Sequence, residues 1–189
     1  MSYFPIRLNS ICLTGPDKEP AFVKLGAGLN VIRGASDTGK SFIVAAIDYM
    51  LAARDPLKKI TESDGYNRVI LSLYSSAMAK NFTLVRGTQG GNFELFNGDH
   101  LERPTGEPAE VLKVGPKGIP NISVFLLEMV GLSGQLVMKN KDGDTDRLGF
   151  RNLTPLCLVN ETQIQSETAP ALSALFALTV EGHATAAVR

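Results

Sequence analysis

Gly34 and Gly39, with Lys40 and Ser41 directly behind the second glycine, lie in the run V-I-R-G-A-S-D-T-G-K-S-F. Their spacing, G-x-x-x-x-G-K-[ST], is that of a loop that cradles phosphate. Glycine at both ends lets the backbone turn tightly, so that successive N–H groups point inward at phosphate oxygens. The positive end of a following helix adds to the attraction. Lys40 is expected to reach the β- and γ-phosphates of ATP, and the Ser41 hydroxyl to ligate Mg2+. The expected nucleotide-binding set is Gly34, Ala35, Ser36, Asp37, Thr38, Gly39, Lys40 and Ser41. The plain alternative is a glycine-rich turn before a helix, with no ligand.

A strand must enter this loop and a helix must leave it. The apolar run G-L-N-V-I-R-G predicts a strand over 28–34, and K-S-F-I-V-A-A-I-D-Y-M-L-A-A predicts a helix over 40–53, apolar almost all round and ended by R-D-P. Upstream, alternation predicts a strand over 6–14, a turn at G-P-D-K-E-P and a hairpin partner at 21–25. Downstream, strands at 68–74, 81–86 and 92–96 joined by glycine-containing turns predict an antiparallel meander. Residues 103–120, rich in Pro and Gly, read as an exposed loop. A helix follows, started by Pro120 or Asn121, with apolar positions 122, 125, 126 and 129 on one face. A strand near 155–160 and a last helix at 171–178 complete the reading, and no internal repeat is present.

With the hairpin ahead of it, G-L-N-V-I-R-G-A-S-D-T-G-K-S-F resembles the start of the ATPase head in the SMC-like branch of the ABC ATPase superfamily, which includes chromosome-structure proteins, RecF, RecN and double-strand-break repair ATPases. Those heads open with a hairpin, then G-x-N-x-I-x-G-x-N-G-x-G-K-S and a buried helix. Gly28, Asn30, Ile32, Gly34, Gly39, Lys40 and Ser41 fit that pattern, whereas Ser36 replaces the usual Asn and Asp37 the usual Gly. The resemblance implies an α/β fold of the P-loop NTPase kind, an N-terminal lobe with a mixed sheet, an antiparallel meander and a buried P-loop helix. Residues 1–189 would form that single, partial head. The resemblance also implies a glutamine at a strand end that senses Mg2+ and the γ-phosphate. In L-C-L-V-N-E-T-Q-I-Q this is Gln163, with Glu161 as its rival.

The same run allows a second reading, in which the apolar residues and Asn160–Glu161 imitate a Walker B strand with Asn in place of the metal-binding Asp and Glu161 as the catalytic acid. An amide is a poorer partner for a hard cation than a carboxylate. An ordinary buried strand ending in a polar turn is the third. G-L-S-G-Q at 131–135 imitates the ABC signature but lacks a glycine and reads as a helix end. Asp142, Asp144 and Asp146 imitate half a calcium loop, but Arg147 stands at its glycine position and Leu153 at its glutamate position, so a solvated turn is expected. Arg7, Arg33 and Arg86 lie on or beside strands and read as snorkelling structural residues, with nucleotide or DNA contact as the alternative.

Composition narrows the partners. Nineteen basic and nineteen acidic residues cancel, which denies the chain a global field for nucleic acid, so DNA enters only through the resemblance. No run of 18 apolar residues and no secretory leader is visible, which predicts a cytoplasmic protein without a membrane partner. Cys12 and Cys157 sit in apolar runs and read as buried hydrophobes. His100 and His183 stand far from either cysteine, which argues against zinc. The resembled heads carry an Asp-Glu pair, a signature motif and a coiled coil that this sequence does not contain. The expectation is an ATP-binding lobe that hydrolyses ATP only with the second half of its head and a second head. A compact P-loop kinase and a non-enzymatic assembly module are the rivals.

Overall fold

The computed structural model describes residues 5–35, 39–115, 119–138 and 143–159. In chain order these form β1 (Ile6–Gly15), β2 (Lys18–Lys24), α1 (Lys40–Met50), a 3-10 turn at Thr61–Ser63, β3 (Arg68–Ser75), β4 (Lys80–Gly87), β5 (Gly90–Asn97), β6 (Glu110–Leu112), α2 (Ile122–Met129), β7 (Leu136–Met138), β8 (Thr145–Arg147) and α3 (Phe150–Cys157). The first six strands make one sheet in the order β2-β1-β3-β4-β5-β6, and β7 and β8 form a separate hairpin. Every pairing between these strands is antiparallel.

The alternation in β3 explains the layering. Val69, Leu71 and Leu73 point to one face, where they join α1, α2 and α3 in the main core; Ile70 points to the other, where it meets Cys12, Val85 and Phe96. Leu71 pairs with Ile11 on one side and Leu84 on the other, all three buried. Asn9 is the extra residue where the β1–β3 register shifts between Leu8 and Ser10. Its amide uses that bulge to donate to Ser72 Oγ at 3.4 Å and Asn81 Oδ1 at 3.0 Å.

The expected α/β arrangement of a P-loop NTPase is overturned by this sheet, which is an antiparallel meander with short helices on one face. The strand expected at 28–34 does not form. Residues 25–35 have no regular structure, and Leu29, Val31 and Ile32 are exposed at 91%, 77% and 44%. The apolar pattern suits a strand, but this run pairs with none: among the described residues β2 is the last strand of the sheet on this side. The hairpin and meander follow the expectation, with β2 starting three residues earlier than 21.

The remaining differences are local. β6 lies inside the segment read as a loop at 103–120 and pairs Leu112 with Phe93. α1 stops at Met50 rather than residue 53, because Ala52 takes a positive φ of 68°. Only its C-terminal half is deeply buried, through Ala46, Ile47, Tyr49 and Met50, while Val44 and Ala45 are exposed. α2 begins at Asn121, whose Oδ1 accepts from Ser123 N at 2.8 Å and Val124 N at 3.4 Å. It ends as expected at G-L-S-G-Q: Gly131, φ 71°, donates to Glu128 O at 3.1 Å, and Leu132 donates to Leu127 O at 2.9 Å.

Residues 150–157 form α3 where a strand was expected from 155. Phe150, Leu153, Thr154 and Leu158 share helical spacing and face the main core, and that face outweighs the β preference of L-C-L-V. The Walker B strand, the ordinary buried strand and the strand expected to end in a sensing glutamine are therefore all overturned, and Leu156 and Val159 are exposed. Cys12 is buried as expected, but Cys157 lies exposed on α3. Asp144 stands just ahead of β8 and Asp146 within it, both exposed, and Asp142 lies outside the described residues.

Candidate functional site

The glycine-lysine-serine end of the run expected to hold phosphate is the start of α1. Gly39 caps the helix in the left-handed region, φ 77° and ψ 9°, and accepts a hydrogen bond from Ile43 N at 3.2 Å. A side chain would strain that backbone, which is why glycine stands there. Lys40 folds its ammonium back over the loop, donating to Gly34 O at 2.9 Å and to Ala35 O. Ser41 occupies the first turn and is exposed, and that turn holds no acidic residue. Lys40 and Ser41 thus stand in the first turn of α1, where the helix's leading N–H groups have no intrahelical acceptor, a setting that favours an anion.

Asn30 shows why the approach to the loop carries an amide. It accepts from Gly26 N at 2.8 Å and donates to Gly26 O and Gly28 O, both at 3.0 Å, so one side chain closes the turn that leads to Gly34. The segment after α1 returns beside the loop: a Cβ on Gly39 would stand 3.9 Å from Ile60 Cδ1. Lys58 and Lys59 line a small cavity with Phe42 there, about 30 Å³ in volume. Sequence reading did not place these two lysines near the loop, because nothing in the sequence spacing tells how the chain returns after α1.

Ser36, Asp37 and Thr38, and the candidates Glu161 and Gln163, lie outside the described residues. Among the described residues no group of three or more His, Cys, Asp and Glu converges on one point.

Of the three arginines, Arg7 is exposed beside Tyr74, 5.2 Å from its ring, and Arg33 is exposed beside the loop. Arg86 does not snorkel. It is 2% exposed, and its guanidinium lies between the rings of Tyr49 at 4.2 Å and Phe93 at 4.5 Å. A larger polar cleft, about 510 Å³, opens between β1, the end of β2 and the loop after β5, lined by Arg7, Asn9, Lys24, Asp99 and Leu101 among others. No motif marks it in the sequence, since those residues are brought together only by strand pairing and by the loop after β5.

Searched against the models of known protein families and against the curated proteins, the chain matches none. Among the described residues no helix is long and apolar enough to cross a membrane.

Proposed function

We propose that this chain supplies the phosphate-binding half of an ATPase site. Residues Gly34 to Ser41 wrap the phosphates of Mg-ATP, Lys40 neutralises the β- and γ-phosphates, and the Ser41 hydroxyl takes one position on Mg2+. The observation that carries the reading is the left-handed Gly39 cap with the Lys40 ammonium folded over the Gly34 and Ala35 carbonyls. An ammonium already held over the loop by two carbonyls is poised to exchange them for phosphate oxygens, a charge-assisted and stronger partnership.

Hydrolysis needs, in addition, a group that orients water and one that caps the γ-phosphate, and we assign both to other polypeptide: the second half of the head and a second head. The support is the apolar stretch of Leu29, Val31 and Ile32, exposed immediately before the loop. A surface of this kind next to a site suits covering by a partner. The test is thermal melting with and without Mg-ATP. The wild-type chain is expected to melt higher with nucleotide and Lys40→Ala is not; unchanged melting of the wild type at saturating Mg-ATP would contradict the reading. Steady ATP hydrolysis by the purified chain, lost in Lys40→Ala, would contradict the need for a partner.

A further inference from the structure

Arg86 is a buried cation whose hydrogen bonds go to carbonyls. Nη1 donates to Ala53 O at 2.8 Å and to Tyr49 O at 3.2 Å, and Nε donates to Gly91 O at 3.0 Å. Two of those carbonyls lie at or just beyond the C-terminal end of α1, where the helix presents unpaired oxygens and partial negative charge. The Tyr49 hydroxyl reaches the other way and donates to Gly87 O on β4. Strand and helix end are thus laced together in both directions. The two aromatic faces offset part of the desolvation, which pulls the guanidinium below its ordinary pKa while Tyr49 opposes the shift.

This is a costly way to fill a core. Buried charges can often be replaced by apolar side chains of similar volume with no loss of stability, so a retained cation calls for a role beyond filling space. The shape of α1 suggests the role. Its C-terminal half is deeply buried, and its N-terminal half, which carries Lys40 and Ser41, is half-buried or exposed. The helix is held most firmly at its C-terminal end, with Phe42 and Ile43 packed only partly buried against the core nearer the other. Eleven residues span about 16 Å, so a tilt of roughly 5° at the held end displaces the other by about 1.4 Å.

Resting on the nucleotide reading above, we propose that Arg86 is the positioning residue of the phosphate-binding helix: by fixing the C-terminal end of α1 to β4 it sets where Gly39, Lys40 and Ser41 meet the phosphates. An error of about 1 Å in a positioned group can cost on the order of a hundredfold in function. Arg86 touches no ligand and acts only through α1.

The experiment compares the wild-type chain with Arg86→Met, which keeps most of the volume, and Arg86→Lys, which keeps the charge but loses the planar fork. Two quantities are read: hydrogen exchange of the α1 amides relative to those of β3 and β4, and Mg-ATP affinity. Both variants are expected to keep β3 and β4 protection, to exchange faster across α1, and to bind Mg-ATP about tenfold or more weakly, with Lys failing to restore wild-type affinity. Should Arg86→Met not fold, Arg86→Lys carries the same comparison. Wild-type affinity in a folded variant would overturn the proposal and leave Arg86 a core residue. A wild-type chain that binds no nucleotide would overturn the loop reading alone, because α1 exchange in the variants still decides whether Arg86 fastens the helix.

Discussion

Cys12 and Cys157 are the same residue type in similar apolar runs, and the fold gives them opposite chemistry. Burial, followed by the negative charge of Glu102, pushes the Cys12 thiol up to about 11 from its ordinary 9.0, whereas Cys157 is exposed on α3. A thiol-specific reagent is expected to label one cysteine quickly in the native protein and the second only on unfolding, and Cys157→Ser is expected to remove the fast phase. Two fast thiols in the native protein would contradict the burial of Cys12. Burial also raises the Tyr49 hydroxyl, against the opposing effects of Arg86 and a backbone hydrogen bond from Gly90. Both groups hold their protons more tightly folded than unfolded. These two groups therefore cost no stability below about pH 9 and lower it from there towards pH 11, as the unfolded chain loses protons that the folded chain retains. Melting temperature measured from pH 7 to 11 is expected to be flat and then to drop, with a shallower drop in Cys12→Ala. At this scale the sequence was legible where a residue's role follows from its immediate neighbours, as at Gly39 and Asn121. It was illegible for Cys157 and Arg86, whose burial depends on which face of an element meets the core.

α2 is the element whose start was most clearly written. Asn121 supplies two capping bonds to Ser123 N and Val124 N, and its amide nitrogen donates to Gly115 O, which ties the helix to the loop after β6. Asn121→Ala is expected to destabilise the protein by about 1 kcal/mol or somewhat more, read as a lower denaturant midpoint with an unchanged slope. β1, β3, β4 and β5 were legible for a related reason: alternation within each strand matches the two faces of a sheet, and glycine turns separate neighbours. The run at 28–34 has as good an apolar pattern, yet the pattern cannot say whether a neighbouring strand is present to receive it. α3 failed for the opposite reason. L-C-L-V drew attention to a strand, while the decisive residues, Phe150, Leu153 and Thr154, form a helical stripe that begins five residues before Pro155. An Arg151–Asp48 ion pair at 2.5 Å then links this helix to α1.

For the molecule as a whole, one face of a six-stranded antiparallel sheet carries the helices, and one of these, α1, starts at the proposed phosphate-binding residues, with an exposed apolar stretch just before them in the chain. Because Leu29 and Val31 are exposed, replacing both with Ser is expected to change unfolding free energy by no more than about 0.5 kcal/mol. The same variant is expected to bind less of a dye that reports exposed apolar surface. A large loss of stability would mean that the stretch is packed, and would remove the support it lends to a covering partner. The resemblance carried by the loop did not extend to the sheet, since spacing within eight residues specifies a turn and a helix start but not how distant strands pair. The account rests on that loop holding phosphate, and titration of the purified chain with Mg-ATP tests it most directly. It predicts saturable binding by the wild type that Lys40→Ala loses while its melting temperature without nucleotide stays unchanged; no binding by the wild type, or equal binding by Lys40→Ala, would contradict it.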